Sequence, residues 1–249
     1  MFRRAIRRLL ASALFAALRV RAKSFAMLPP DSTLLVIAPH PDDEALGCGR
    51  LIAAQTDAGG VAHIAWLTDG EACRPATTSE KLACQRRAEG DAAASILGVP
   101  SSCCHRFGAP DGHLSSLGPI EREALVANLA ALFGVLHPSE VLVTSSLDGS
   151  TEHEAAHALA TAAIERLQPK PRLRTYLVWA HWNIRALLGV WRQCDAVFWR
   201  ADPGRSARRA AAIGAHLSQT QPLPPATAPL LTPHFLACFP TNGEFYLDR

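Results

Sequence analysis

The chain has 249 residues, 49% of them hydrophobic, with 25 lysine and arginine against 22 aspartate and glutamate for a formal net charge of +3. That length and apolar content suit one domain with a sizeable core, and the small positive excess sits largely in the N-terminal arm, so no basic stripe is left to track a phosphate backbone and nucleic acid is not an expected partner. The seven cysteines are odd in number, contain no CxxC pair and include the neighbours Cys103 and Cys104, which reads as reduced, mostly buried thiols in a cytoplasmic protein rather than a disulfide framework.

Residues 1–28 form a distinct arm. Phe2, Ile6, Leu9 and Ala13 fall on one helical face and Arg3, Arg4, Arg7 and Arg8 on the other. Three readings fit: a helix packed on the domain or a partner, a helix lying on an anionic membrane surface, or an export signal. The apolar stretch Leu9 to Leu18 is too short to span a bilayer, and Arg19, Arg21 and Lys23 stand where a cleavage site would lie.

The domain proper is expected over residues 29–249. Leu34 to Ile37 has the length and branching of a buried strand, and Pro39 and Pro41 prevent strand or helix from running on. The loop His40-Pro41-Asp42-Asp43-Glu44 therefore places an imidazole and adjacent carboxylates at the carboxyl end of a strand, where open α/β sheets hold ligands. His40 and a carboxylate two or three residues on can share one Zn²⁺, with the neighbouring carboxylate close enough to act on a water. A plain helix N-terminus would also accept these acids, but capping needs only one of them.

Further along, Val61 to Leu67 reads as a strand, Ser79 to Leu97 as a helix, and Ile120 to Leu136 as a helix opened by Pro119 and ended before Pro138. Glu140 to Thr144 is the next strand, Thr151 to Leu167 a helix and Leu173 to Ala180 a strand. Arg205 to His216 reads as the last helix, followed by an irregular proline-rich excursion from Pro222 to Pro233 and a short strand near Phe245 to Leu247. Such alternation implies a single Rossmann-like three-layer α/β domain with a mostly parallel sheet. His153-Glu154-Ala155-Ala156-His157 also satisfies HExxH, the zinc metalloprotease pattern, although no convincing third ligand follows.

HPDDE after a buried strand, followed by Ala45 to Gly49, resembles the signature of the LmbE-like family, the metal-dependent N-acetylglucosaminyl-phosphatidylinositol de-N-acetylases and their bacterial relatives. Thr68-Asp69-Gly70, the helix pattern Arg86, Glu89, Ala93, Leu97 and Gly98, the Pro110-Asp111-Gly112 loop, Asp148 to Ala156 and His216 to Gln219 are similar to that family too, so the resemblance covers residues 33 to 220. It implies a hydrolase that removes an N-acetyl or N-acyl group from an amino sugar or its conjugate. By that resemblance His40, Asp43 and His153 hold Zn²⁺, or another divalent ion such as Fe²⁺, and Asp42 is the general base. Arg86 and Asp111 bind substrate, and His157 belongs to the core or the surroundings of the site. The chain departs from the family at Ser150, where relatives carry a histidine that protonates or stabilises the reacting amide. His181 and His216 are candidates to replace it, and a carbohydrate-binding relative without catalysis is the other consequence of that vacancy.

Overall fold

The protein, described by a computed structural model, is defined over residues 2–26, 28–73, 78–193, 196–223 and 226–248. Its elements in chain order are α1 (Phe2–Arg21), β1 (Lys23–Ser24), β2 (Thr33–Ala38), α2 (Asp43–Asp57), β3 (Val61–Thr68), α3 (Ser79–Ile96), β4 (Cys104–Ala109), α4 (Pro119–Leu136) and β5 (Glu140–Thr144). They continue with α5 (Thr151–Ile164), β6 (Arg172–Tyr176), α6 (Ile184–Gln193), β7 (Ala196–Ala201), α7 (Ser206–Ala215), α8 (Leu217–Thr220), α9 (Pro233–Leu236) and β8 (Gly243–Asp248).

The described strands form one sheet in the order β1-β7-β8-β6-β5-β2-β3-β4, parallel except where β8 runs against both β6 and β7. The expected mostly parallel α/β architecture is therefore present. Side chains of β2 alternate between two cores: Leu34, Val36 and Ala38 face α2, α3 and α7, while Leu35 and Ile37 face α4 and α5. From β2 the chain first winds one way to β3 and β4, then returns through α4 to β5 on the other side of β2. The carboxyl ends of β2 and β5 thus flank a topological switch point, where the connections diverge and leave a crevice.

Helix α1 lies on the domain. Its Ala11, Leu14, Phe15 and Leu18, with Ala22 just beyond its end, pack with Leu187 and Val190 of α6 and with Phe245 and Leu247 of β8, and β1 pairs with β7 at the sheet edge. No described helix is long and apolar enough to cross a membrane.

Several expectations need correction. The strand expected over Leu173 to Ala180 stops at Tyr176, because the backbone N–H groups of Val178, Trp179 and Ala180 all turn to the Asp148 carboxylate instead of a neighbouring strand. The helix from Thr151 ends at Ile164, and Arg205 to His216 is not the last helix, since Thr232 caps α9 by accepting from Phe235 N at 3.1 Å. Strands β4 and β7 and helix α6 were not foreseen. Of the described cysteines, all free thiols, only Cys48 is buried, against the expectation of mostly buried thiols.

One close approach seats α2 on the sheet. Tyr176 donates from its hydroxyl to Ile37 O at 2.9 Å and lays its ring against the backbone of α2, so that a β-carbon at Gly47 would stand 2.2 Å from Tyr176 Cδ2. Replacing Gly47 by Ala should cost about 1–3 kcal/mol through overpacking, at about 2–4 °C of melting temperature per kcal/mol for a chain of this size. An unchanged melting temperature would show that Tyr176 yields freely.

Candidate metal centre

His40 follows β2 through Pro39, and the chain bends sharply so that α2 can start at Asp43. The bend falls on Asp42, whose φ of +136° is a strained conformation for a residue with a β-carbon. It sends the two neighbouring carboxylates apart. Asp42 makes no side-chain capping bond to α2 and turns to Arg86, whose Nη2 lies 3.2 Å from Asp42 Oδ2. Asp43 Oδ2 accepts from His40 N at 3.1 Å and lies 3.2 Å from His40 Nδ1. The simple capping reading of this loop is therefore not what the acids do.

The second half of the centre comes from the far side of the crevice. His153, in the first turn of α5, is fully buried, and its Nδ1 stands 2.6 Å from Asp148 Oδ2. Asp148 also accepts from Val178 N, Trp179 N and Ala180 N, each at 2.9 Å, which spends its oxygens and obliges Nδ1 to carry the proton. His153 Nε2 is left without a hydrogen-bond partner, 3.5 Å from Asp43 Oδ2. One ligand atom each from His40, Asp43 and His153 fall within 4.8 Å of one another, and two imidazole nitrogens with one carboxylate are a donor set that a divalent transition ion accepts. An orphaned, buried ring nitrogen aimed at a carboxylate is costly unless something fills the place between them.

A second group shares His40: its Nε2 lies 3.1 Å from Asp111 Oδ1, and Glu152 joins within the same 4.8 Å limit. Sequence reasoning did not single out Glu152, nor Asp148 as the group that orients His153; the Asp-Gly turn five residues before a histidine was the available signal for the latter. Nor does the HExxH pattern build a protease centre. Glu154 is exposed, and His157 belongs to neither group of ligand atoms found among the described residues.

His40, Asp42, Asp43, Ala72, Cys73 and Asp111 line one side of a pocket of about 250 Å³, and Leu46, Val178, Trp179, Leu230 and Leu231 form its apolar wall. Asp111 is fixed there by Ala72 N at 2.7 Å. Arg86, expected to hold substrate, points elsewhere: it is 2% exposed and donates to Gly70 O at 2.9 Å and Pro41 O at 2.5 Å besides holding Asp42. Of the histidines proposed to stand in for the one missing at Ser150, His181 stacks on Phe15 and meets the tilted ring of Phe239, with ring centroids 4.7 and 4.3 Å away. Burial lowers it to about 3, so it is neutral at ordinary pH. His216 is fully buried beside Glu44, its Nε2 3.6 Å from Glu44 Oε1, and does not line the pocket.

The electrostatics follow from burial and pairing. Burial opposes the charged form of His40, but its bonds to Asp111 and Asp43 raise it to about 9; burial likewise opposes a charged His153, but Asp43 and Asp148 raise it to about 10. Burial would push Asp43 up, yet His153 and His40 hold it well below the usual carboxylate range. Burial does push Asp42 up, to about 6, against the pull of Arg86.

Two predictions follow from this geometry. Both Asp42→Gly and Asp42→Ala delete the carboxylate, but only alanine keeps a β-carbon at the strained φ, so the glycine variant should be the more stable by about 1 kcal/mol in urea denaturation; the reverse order would show that the bend is unstrained. Protons on the two raised histidines stabilise the metal-free fold below pH 6.5, and that contribution is lost as pH rises through about 9 to 10. An added cation competes with those protons. The gain in melting temperature on adding zinc should therefore grow from pH 6.5 to about 9, and a gain independent of pH would contradict a centre built on these histidines.

Known proteins agree with this architecture. The family described as PIG-L, GlcNAc-PI de-N-acetylase, matches residues 35–164, over half of the chain. No curated protein matches. Among solved structures, the conserved protein TT1542 from Thermus thermophilus is 26% identical over 86% of this chain and 93% of its own, with a TM-score of 0.63. The N,N'-diacetylchitobiose deacetylase from Pyrococcus horikoshii is 21% identical over 89% of this chain and 80% of its own, with a TM-score of 0.59. The 4-carboxy-2-hydroxymuconate hydratase GalB from Pseudomonas putida is 22% identical over 74% of this chain and 78% of its own, also with a TM-score of 0.59. The last two share the fold and name different reactions, whereas the family match rests on the segment that carries His40, Asp43 and His153: the chain belongs to the PIG-L family of GlcNAc-PI de-N-acetylases.

Proposed function

We propose that this chain is a metal-dependent hydrolase that removes an N-acetyl group from an amino sugar or its conjugate. The observation that carries the reading is the convergence of His40, Asp43 and the unpartnered Nε2 of the fully buried His153, with His40, Asp43 and Asp42 lining one pocket and His153 reaching Asp43 from behind it. Those three residues would hold zinc, and iron(II) accepts the same donors. When bound there, a divalent ion supplies Lewis acidity that polarises an amide carbonyl and acidifies a water.

The chain's own groups do the rest. Asp42 takes the proton from the attacking water, and Arg86 keeps its carboxylate in place from behind. Asp111, buried but open to the pocket, offers an acceptor for a sugar hydroxyl. Leu46, Val178 and Trp179 exclude water from around the acyl group. Ser150 cannot serve as an acid near neutral pH, and His181, held neutral against two aromatic rings, cannot either. His216 sits beside Glu44 and does not line the pocket, which leaves Asp42 as the pocket group that also returns the proton to the departing amine.

The test is amine release from a panel of N-acetylated amino sugars, with metal content measured on the same sample. Wild type should release amine. Asp42→Asn should keep its metal and lose about 100-fold or more in turnover, the scale of general acid–base assistance. Ser150→His should raise turnover by supplying the missing acid. A second reading rests on Ser150 alone, a carbohydrate-binding relative without catalysis; sugar and metal binding with no amine released from any member of the panel would establish it and remove the first.

A further inference from the structure

Both histidines of the metal centre carry a carboxylate on the ring nitrogen that faces away from it. For His153 that carboxylate is Asp148, 2.6 Å from Nδ1, and Nε2 is left to face Asp43. For His40 it is Asp111: Nε2 lies 3.1 Å from Asp111 Oδ1, while Nδ1 lies 3.2 Å from Asp43 Oδ2. A neutral imidazole has one N–H and one lone pair, so one of these two nitrogens keeps the proton and the other is the ligand. Asp43 Oδ2 decides between them. It accepts from His40 N at 3.1 Å and is approached both by His40 Nδ1 and, at 3.5 Å, by the orphaned Nε2 of His153. The lone pair wanted at that point is the one on Nδ1, and the proton of His40 belongs on Nε2, toward Asp111.

Asp111 is itself held for that task. Its Oδ2 accepts from Ala72 N at 2.7 Å and its own N–H donates to Glu71 Oε1 at 2.9 Å. The loop after β3 thus clamps a residue of the loop after β4, and that residue faces the imidazole in the loop after β2. The side chain is 7% exposed, and a carboxylate anchored by a backbone N–H in such surroundings fixes the ring it meets. It has room for about four donors, so an acceptor for a sugar hydroxyl remains. A rival use of the same atoms, a cation held by His40, Asp111 and Glu152, has less behind it. Glu152 already accepts from Leu114 N and Ser115 N, at 3.3 and 3.4 Å, and none of these three residues has an orphaned buried atom as His153 does.

We propose that Asp111 is a positioning residue for the metal ligand His40: it keeps the proton on Nε2 so that Nδ1 faces Asp43 and the cation, as Asp148 does for His153 with the two nitrogens exchanged. This rests on the metal centre proposed above and not on the reaction. The test uses the full chain loaded with zinc. Long-range proton–nitrogen correlation spectra of isotope-labelled histidine distinguish the two ring nitrogens, and zinc affinity is measured in competition with a chelator. One histidine bound through Nδ1 and one through Nε2 is expected. Asp111→Asn should weaken zinc binding by about 10–100-fold with an unchanged circular dichroism spectrum, because asparagine has one carbonyl oxygen where the N–H groups of Ala72 and His40 both arrive. Glu152→Gln should bind zinc as wild type does. Two histidines bound through Nε2, or an equal loss of affinity in Glu152→Gln, would overturn the proposal. A raised KM for sugar in Asp111→Asn with zinc affinity intact would assign Asp111 to substrate alone and overturn it equally. Wild type that binds no zinc would overturn this and the metal centre together, whereas zinc bound in the expected pattern without amine release from any sugar would uphold it and remove the deacetylase reading instead.

Discussion

The centre depends on one buried carboxylate. Asp148 has no exposed surface and accepts three consecutive backbone N–H groups from the turn after β6 while holding His153 Nδ1 at 2.6 Å. A carboxylate with so many donors is fixed in position, and it fixes what it touches. It ends β6 early, so that Val178 and Trp179 become pocket wall rather than strand. It also sets the ring of His153 so that Nε2 faces across the switch point toward Asp43. Strand ends, pocket wall and ligand orientation are thus consequences of a single acceptor.

The neighbouring acids Asp42 and Asp43 show how environment separates two identical groups. A strained backbone at Asp42 turns one side chain toward Arg86 and the other toward His40 and His153. The group facing two histidines is held as a firm anion, suited to ligation, while the other is raised by burial toward the range in which a carboxylate can take up and release a proton near neutral pH. Arg86 stops the second from rising further and holds it still. A guanidinium buried behind a carboxylate fixes that carboxylate's position.

Much of this was legible in the sequence because it is local. The branched run Leu34 to Ile37, the two prolines around His40 and the adjacent acids specify a strand, a break and a ligand-bearing loop without any long-range information. What local patterns could not supply was convergence. His40 and His153 are 113 positions apart, and their meeting follows from β5 returning to the side of β2 opposite β3. HExxH misled for the same reason: spacing along a helix says which residues share a face, not which of them meets another strand's loop. The strand expected to run to Ala180 failed because its backbone donors were claimed by Asp148, and the sequence pattern around Arg86 did not reveal that its guanidinium is buried against Pro41 O and Asp42, because sequence cannot distinguish a charge that faces a pocket from one buried beneath it.

The most direct test of the metal centre is a crystal structure of the zinc-loaded protein with anomalous data collected at the zinc edge. A single anomalous peak within bonding distance of His40, Asp43 and His153, with the Asp148 bond to His153 intact, is the predicted result. A peak held instead by His40, Asp111 and Glu152, the other group of ligand atoms within 4.8 Å, or no peak near His153 at all, would contradict it.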